Sequence, residues 1–375
     1  MSDARLRIAM FCHNYLPHPG GLEIMVWNLA RGLARRHEVV LVTSAYDGSR
    51  GVSQEDGFTV HRLPAIHVTE ALSVPYPVML GAGVRDALRA TAGADVVHVH
   101  GALYQQTMLG LRVARRAGAP VVLTEHVGFV EYKRAALNAV QRLAWRTIGD
   151  RTARQADALV ALSARVHDWL ADRFARDVTF IGNGVDFDRF RPRSFDERMA
   201  LRRSFGLPTD EVLALFAGRV AAKKNIDVAL DAPRETFTLV LCGGKRDVQG
   251  DRLIDLGLLP HERMADLFAC VDLTVHSASG EGFPLAVQES VASGTPVVLL
   301  WDDGYARWMP KELVVACDDA SSIAPAIAAL AGDPERRASL ALTGRRWAEE
   351  QWSWEANVAA YEEIYRDVIE RTRKR

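Results

Sequence analysis

Two glutamates, Glu281 and Glu289, flank a segment whose residue types suit the binding of a polyol. The segment reads Glu-Gly-Phe-Pro-Leu-Ala-Val-Gln-Glu, so a loop with an acid and a glycine leads into a helix that carries a second acid two turns on. An ionised carboxylate only accepts hydrogen bonds, which suits it to the hydroxyls of a sugar or a ribose. The pair can therefore hold two different polyols. The alternative is that Glu281 caps the helix and Glu289 is a solvated surface charge.

The elements around this pair form a strand, loop, helix and strand. Apolar runs at 271–275 and 297–300 lie on either side of it, and Gly294 marks the exit from the helix. The loop then lies at the carboxyl end of a parallel strand, where open α/β sheets bind ligands. Pro284 is predicted as the first helical residue, because its missing N–H would be unpaired there. The free N–H groups that favour an anion or an oxygen-rich ligand belong to Gly282, Phe283 and Leu285.

The same alternation of short apolar runs and amphipathic segments continues along the whole chain. Strands separated by helices of this length predict a parallel sheet that is covered on both faces. A turn-rich linker with Asn-Gly and Pro at 181–192 divides the pattern into two halves. We expect two doubly wound α/β domains that face each other across a cleft. Residues 1–185 form the first, residues 186–354 form the second, and a long final helix at about 355–375 completes the first.

Two further loops follow strands and carry residues that suit phosphate. Gly20 and Gly21 lie between the first strand and the first helix, where glycines allow the backbone to approach a phosphate closely. Gly218 and Arg219 follow the first strand of the second half, with Lys224 shortly after. Arg219 can grip phosphate oxygens as a fork and Lys224 can add a point charge. The alternatives are an ordinary turn and solvated cations.

Histidines end two predicted strands of the first half. His126 ends the run Thr-Glu-His, where it could contact a bound sugar or take part in proton transfer. His98 and His100 alternate along a strand and are better explained as buried or edge histidines.

No set of residues predicts a metal site. Asp186 and Asp188 form an Asp-x-Asp pattern, but it lies in the linker instead of at a strand end. The four cysteines are scattered without a Cys-x-x-Cys pair, which indicates reduced structural thiols in a cytoplasmic protein.

Net charge excludes a nucleic-acid partner. Residues 1–186 contain 21 Lys and Arg against 17 Asp and Glu, and the whole chain has a formal net charge of −1. That balance is not the strong excess of basic residues that a nucleic-acid-binding domain shows. Residues 131–154 are locally basic and amphipathic, so this segment could form a helix on the inner face of an anionic membrane. An ordinary helix with a solvated basic face fits the pattern equally well.

Together these motifs resemble the family 4 glycosyltransferases, retaining enzymes of the GT-B fold that use nucleotide-sugar donors. The resemblance covers essentially the whole chain, and the spacing of the two glutamates is its most specific part. The motifs that carry it, in chain order, are Gly20-Gly21, Thr124-Glu125-His126, Asn183-Gly184-Val185-Asp186, Gly218-Arg219 with Lys224, and Glu281 to Glu289.

The resemblance implies a role for each matching residue. Glu289 would bind the ribose of the nucleotide, and Glu281 would hold the transferred sugar together with the N–H groups that follow it. Arg219 and Lys224 would neutralise the diphosphate in place of a metal, so no cofactor is expected. His126 would contact the donor sugar near its anomeric carbon. The other donor-binding positions are Gly20, Gly21, Asn183, Gly218, Gly282, Phe283, Pro284 and Leu285.

The implied function is transfer of a hexosyl unit from a UDP- or GDP-linked sugar to a hydroxyl group. The acceptor would be a glycan or a lipid-linked sugar in cell-envelope assembly, or a small molecule. Two rival functions use the same fold: a sugar-nucleotide epimerase or phosphorylase, and a sugar-nucleotide-binding protein without activity. The chain departs from the family pattern at 276–280 and 301–308, where the choice of sugar would be made.

Overall fold

The computed structural model describes residues 4–374 except 19, 47, 68–75, 82, 130–134, 219–223, 245–247 and 279–283. The chain divides into two compact units. Unit 1 contains Met1–Gly184 and Trp354–Arg375, and unit 2 contains Val185–Ser353.

Unit 1 is built on an eight-stranded sheet in the order β10-β9-β8-β7-β1-β2-β4-β3. All neighbours are parallel except the edge pair β3 and β4, which is antiparallel. β5 and β6 form a separate two-stranded ribbon. The strands are β1 Arg7–Phe11, β2 Glu38–Ser44, β3 Gly51–Glu55, β4 Phe58–Leu63, β5 Ala65–Ile66, β6 Val78–Met79, β7 Val96–His100, β8 Val121–Glu125, β9 Ala158–Ala161 and β10 Val178–Phe180.

Helices connect these strands, and apolar side chains on both faces of the sheet form two core clusters. The helices are α1 Gly21–Ala34, α2 Val84–Ala90, α3 Gln105–Ala117, α4 Ala135–Ala144, α5 Asp150–Gln155 and α6 Ala164–Phe174. A π-helical turn, Trp145–Gly149, joins α4 to α5. The side chain of Ser163 caps α6 by accepting from the Val166 N–H at 3.3 Å.

Unit 2 has a six-stranded parallel sheet in the order β13-β12-β11-β14-β15-β16. Its strands are β11 Leu213–Ala217, β12 Thr238–Cys242, β13 Leu253–Asp255, β14 Leu273–His276, β15 Val297–Leu300 and β16 Val315–Cys317. Its helices are α7 Phe195–Phe205, α8 Asp227–Leu230, α9 His261–Cys270, α10 Leu285–Ala292, α11 Ile323–Gly332 and α12 Pro334–Gln351.

The last helix, α13 Trp354–Arg373, belongs to unit 1 and packs against α1. Val358, Tyr361 and Tyr365 are buried in the unit 1 core. The predicted α/β fold class is confirmed, with a Rossmann-like parallel sheet in each unit. No helix among the described residues is long and apolar enough to cross a membrane.

Each sheet has one point where the strand order reverses. In unit 1 the chain runs from β1 outwards to β2 and later returns to β7 on the other side of β1. In unit 2 it runs from β11 to β12 and returns to β14 on the other side of β11. In open α/β sheets, ligands bind at the carboxyl edge of the strands at such a point. Of the predicted site residues that the structure describes, all except Asn183 follow strands at or next to these two points.

Candidate functional site

Side-chain hydrogen bonds join Ser277, directly after β14, to Lys224 and Asn225, which follow β11 along the chain. The Ser277 hydroxyl donates to the carbonyls of Lys224 and Asn225 at 2.9 and 3.0 Å, and the Asn225 amide donates to the Ser277 carbonyl at 3.0 Å. Asn225 has a φ of 47°, in the left-handed region that asparagine tolerates. Lys224 is half-buried, and its aliphatic chain lies over Gly218, where an added Cβ would be 3.6 Å from the lysine Cδ. The predicted phosphate-binding lysine is thus held at the strand-order reversal.

Glu289 lies in the second turn of α10 and is buried, with 9% of its surface exposed. Its Oε1 is 3.1 Å from Nε2 of His261, the first residue of α9. Helices that follow parallel strands begin at the carboxyl edge of the sheet, so both residues lie at the edge where a ligand would bind. The alternative of a solvated surface charge for Glu289 is therefore wrong.

The start of α10 differs in detail from the prediction. The helix begins at Leu285, and Pro284 precedes it with an extended backbone (φ −77°, ψ 131°), so Pro284 is the cap and not the first helical residue. Its carbonyl accepts from the Val287 N–H at 3.0 Å. Since a cap residue needs no N–H for the helix, proline serves here as well as at the predicted position. Four predicted site residues lie outside the described residues: Arg219, Glu281, Gly282 and Phe283.

In unit 1, a buried carboxylate organises the loops after β7 and β8. Glu125, the last residue of β8, accepts from the Ala102 N–H at 2.9 Å. It also accepts from the N–H groups of His126, Val127 and Gly128 at 3.2, 3.3 and 3.3 Å. Burial raises the pKa of Glu125, and these four hydrogen bonds act in the opposite direction. Glu125 therefore fixes the backbone that carries His126.

Buried imidazoles surround His126. Its Nε2 is 3.1 Å from Nδ1 of His100, whose ring centroid is 4.1 Å from that of His98. Burial lowers the pKa of His98 and of His126 to about 3, although His126 keeps partial solvent exposure. Burial also lowers the pKa of His100 and of His13 well below the ordinary value, helped by the neighbouring histidines. All four rings are therefore neutral near pH 7. His98 and His100 are buried as predicted, on an interior strand.

The predicted phosphate-binding turn at the start of α1 contains an acid. The helix begins at Gly21 after Gly20. Glu23, in the first turn, is 3% exposed, and its Oε1 is 2.6 Å from Nδ1 of His18. A Cβ at Gly20 would come within 2.2 Å of Glu23 Oε2, so the carboxylate lies against the glycine backbone. The protein's own carboxylate thus supplies the negative charge that a helix N-terminus favours. The phosphate role of Gly21 stays a prediction.

The linker motif at 183–186 serves packing and turn formation. A Cβ at Gly184 would come within 2.6 Å of the Trp354 ring and 2.9 Å of its Cα. The carboxylate of Asp186 accepts from the Arg189 N–H at 3.1 Å, which closes a local turn. The side chain of Asn183 is half-buried, and its donor-binding role stays a prediction.

Comparisons with known proteins agree with this arrangement. Residues 19–189 match the model described as Glycosyltransferase Family 4, and residues 197–347 match Glycosyl transferases group 1. A D-inositol 3-phosphate glycosyltransferase of Xylanimonas cellulosilytica is 31% identical over 94% of this chain and 93% of its own. A GDP-mannose-dependent alpha-mannosyltransferase of Mycolicibacterium smegmatis is 30% identical over 83% of each chain.

The chain belongs to glycosyltransferase family 4.

Solved structures show that this glycosyltransferase has the GT-B fold. Sucrose-phosphate synthase from Thermosynechococcus elongatus matches 97% of this chain and 99% of its own, with a TM-score of 0.74 and 22% identity. Anabaena HepE in complex with UDP and glucose matches 96% of this chain and 99% of its own, with a TM-score of 0.75 and 16% identity. The glycosyltransferase is a hexosyltransferase that uses a nucleotide-sugar donor.

One of the two segments where this glycosyltransferase departs from the family pattern is 301–308. It follows β15, which pairs with β14 in the sheet. Trp301 packs edge-on against the ring of Tyr305, with centroids 5.9 Å apart. The Lys311 ammonium lies 5.6 Å from the centroid of the Trp301 ring. The Asp302 side chain accepts from the Gly304 N–H at 2.9 Å and starts a 3-10 turn. An aromatic, charged turn thus occupies the position where we expect the sugar to be chosen.

Sequence reasoning missed three residues that contact the predicted site residues of the glycosyltransferase. His261 pairs with Glu289, His100 pairs with His126, and Glu23 lies against Gly20. His100 could have been found from the sequence, because it ends a strand that runs parallel to the strand before His126. His261 lies 28 residues before Glu289 with no shared motif, and only the fold brings the two together.

Proposed function

We propose that this glycosyltransferase moves a hexosyl unit, with retention and without a metal ion, from a UDP- or GDP-linked sugar to an acceptor hydroxyl. The observation that carries the proposal is the buried carboxylate of Glu289 at the carboxyl edge of unit 2, held through one oxygen by His261. The second oxygen of this carboxylate can accept hydrogen bonds from the two hydroxyls of a ribose.

The diphosphate is bound by cations and by backbone N–H groups in this proposal. Lys224 supports the assignment, because its ammonium extends from a loop that Ser277 fixes at the strand-order reversal. The guanidinium of Arg219 binds phosphate oxygens with two parallel hydrogen bonds. Glu281 holds the transferred sugar together with the N–H groups of Gly282, Phe283 and Leu285. These charges stabilise the departing diphosphate as its negative charge develops. The departing phosphate takes the proton of the acceptor hydroxyl, which attacks from the same face.

His126 contacts the donor sugar near the anomeric carbon. The support for this role is the position of His126 at the carboxyl end of β8, on a backbone that Glu125 fixes with four hydrogen bonds. Its low pKa keeps the ring neutral, so it interacts with hydroxyls by hydrogen bonding without bringing a charge.

The acceptor of the proposed reaction is a lipid-linked sugar at the inner face of the cytoplasmic membrane. α4 contains no buried residue, and Val140 and Leu143 on it are 65% and 63% exposed. Arg142 and Arg146 flank them on the exposed surface. An exposed apolar strip beside cations suits the interface of an anionic bilayer. A small-molecule acceptor, such as the inositol phosphate in the name of the relative, remains the alternative.

A thermal-shift screen tests the donor. UDP, GDP, UDP-glucose and GDP-mannose are added to the protein with and without EDTA. A true donor at a hundredfold its dissociation constant raises the free energy of unfolding by about 2.7 kcal/mol. We expect stabilisation by one nucleotide series, unchanged by EDTA. Stabilisation by none of them would refute a UDP- or GDP-linked donor, and stabilisation that requires a divalent ion would refute the metal-free diphosphate site.

A further inference from the structure

The hydrogen bond between His100 and His126 places a constraint on the proton of His126. His100 Nδ1 and His126 Nε2 are 3.1 Å apart, so one nitrogen donates and the other accepts. Both rings are neutral near pH 7, because burial lowers the pKa of each. A neutral imidazole has one N–H and one lone pair, so the direction of this bond decides which nitrogen of His126 carries the proton.

The surroundings of His100 decide that direction. The atom Nε2 of His100 is buried and has no hydrogen-bond partner among the residues that the structure describes. If His126 donated, the proton of His100 would lie on this Nε2, as a buried N–H without an acceptor. If His100 donates from Nδ1, the same Nε2 carries only an unpaired lone pair. Among backbone groups, buried donors without a partner are rarer than buried acceptors that are under-satisfied.

His98 cannot accept a hydrogen bond from Nε2 of His100, because both nitrogens of His98 already have partners. Nδ1 of His98 is 2.7 Å from the Tyr365 hydroxyl, and Nε2 is 2.7 Å from the Thr124 hydroxyl. The Tyr361 hydroxyl is 3.2 Å from the same Thr124 oxygen. Two tyrosines of the final helix α13 therefore fix the orientation of the His98 ring. This ring in turn lies against the ring of His100. His100 is held in place by packing and is not free to turn.

We infer that His100 is a positioning residue, which donates from Nδ1 to Nε2 of His126 and fixes His126 as the tautomer protonated at Nδ1. The inference rests on the proposed role of His126 at the donor sugar. In this tautomer the lone pair of His126 is occupied by His100, and the Nδ1–H is the group offered to a ligand. His126 then donates a hydrogen bond to a hydroxyl or phosphate oxygen, and it does not act as a general base.

The direct test is the tautomer of His126 in the wild-type protein, which requires no substrate. Protein labelled with ¹⁵N-histidine is studied by two-bond proton–nitrogen correlation at pH 7.5, with the His126 signals assigned by their loss in His126→Gln. We expect a protonated Nδ1 and an unprotonated Nε2. The opposite pattern overturns the inference, and the measurement needs only that His126→Gln, used for the assignment, has the wild-type fold by circular dichroism.

Two variants test whether His100 is the cause. Asparagine can place an amide donor near the position of the imidazole Nδ1, whereas leucine cannot. We expect His100→Asn to keep the tautomer of His126 and His100→Leu to give a mixture. Hydrolysis of UDP-glucose and GDP-mannose without acceptor provides the kinetic readout. In His100→Leu, kcat should fall by about tenfold or more while KM changes little, and His100→Asn should restore most of it. His167→Asn, at a half-buried position of α6, is the matched control.

The outcomes separate this inference from the proposed function. If His126→Ala hydrolyses donor as fast as wild type, the proposed role of His126 fails, whatever the tautomer. If His126→Ala is inactive while His100→Leu keeps both the wild-type tautomer and the wild-type kcat, the proposed function stands and the inference about His100 fails.

Discussion

His261 Nε2 holds Oε1 of Glu289 at 3.1 Å, across 28 residues of sequence. Glu289 is mostly buried, while the side chain of His261 keeps 33% of its exposure. One carboxylate oxygen is thus oriented by the protein, and Oε2 accepts no hydrogen bond from the described residues. A carboxylate held on one side and available on the other is pre-organised to accept hydrogen bonds from a diol.

Replacing His261 should weaken nucleotide binding without removing it. His261→Ala frees Glu289 to rotate and leaves a partly buried carboxylate without its partner. We expect the dissociation constant for UDP or GDP to rise about tenfold by calorimetry, which corresponds to ~1.4 kcal/mol. His261→Gln, which can still donate, should recover part of the loss, and Glu262→Gln on the exposed neighbour is the control. Equal affinities in His261→Ala and wild type would mean that His261 does not orient the ligand-binding oxygen.

Gly184→Ala should destabilise unit 1. The new Cβ would lie 2.6 Å from the Trp354 ring and 2.9 Å from the Trp354 Cα, and a backbone atom cannot move aside cheaply. Overpacking of this kind costs about 1–3 kcal/mol of unfolding free energy, measurable by urea denaturation. Gly332→Ala is the control, because an added Cβ there meets nothing within 4 Å. Equal stability of Gly184→Ala and wild type would show that the glycine is not needed for packing.

The buried histidines of unit 1 should make the protein sensitive to mild acid. The pKa of His98 and of His126 is lowered to about 3, and those of His13 and His100 are also lowered. Between pH 6.5 and 3 the unfolded chain therefore binds more protons than the native state, so stability is present above pH 6.5 and is lost as pH falls. Within that window His98 and His126 each contribute about 1.4 kcal/mol per pH unit, and His13 and His100 act in the same direction.

Urea denaturation at pH 7 and pH 5 measures this dependence. Glu125 acts in the opposite direction, because its raised pKa means that the native state binds its proton more readily, but it offsets one proton at most. We expect the free energy of unfolding to be several kcal/mol lower at pH 5. A flat profile between pH 7 and pH 5 would contradict the neutral, buried state of these rings.

The exposed face of α4 should bind anionic membranes. Leu143→Glu introduces a charge into the apolar strip, and Arg142→Glu reverses one of the flanking cations. We expect both variants to lose co-sedimentation with vesicles of phosphatidylglycerol and phosphatidylcholine, and wild-type binding to weaken as salt rises. Leu342→Glu is a close control, since Leu342 on α12 of unit 2 is also 63% exposed. Wild-type protein that stays in the supernatant at low salt would contradict the claim that α4 binds an anionic membrane.

The fold was predictable because periodicity and strand-end residues are local signals. The apolar run at 297–300 became a strand with the predicted bounds, and the run at 271–275 overlaps the strand Leu273–His276. The antiparallel edge pair Gly51–Glu55 and Phe58–Leu63 was missed, since Gly51–Glu55 is largely exposed and has no apolar run to mark it. The edge strand Leu253–Asp255 was missed because it has only three residues, too few to form a recognisable apolar run.

The candidate site was predictable where a residue type is tied to a strand end, and not where the fold brings distant residues together. Glu289 could be proposed because a helix follows a strand and a glycine-containing loop. Its partner His261 opens a different helix, and nothing local links the two. The hydrogen bond between Tyr365 and His98 spans 267 residues, so the sequence could not predict that the final helix orients the histidines next to His126.

The binding of nucleotide by Glu289→Ala tests the central claim most directly. Glu350→Ala, an exposed acid on α12, is the control, and circular dichroism verifies the fold of both variants. Calorimetry with UDP and GDP should show wild-type affinity in Glu350→Ala. In Glu289→Ala the affinity for the preferred nucleotide should be weaker by on the order of a hundredfold, as expected for losing hydrogen bonds to a charged acceptor. An unchanged dissociation constant in a folded Glu289→Ala would contradict the claim that Glu289 binds the nucleotide of the donor.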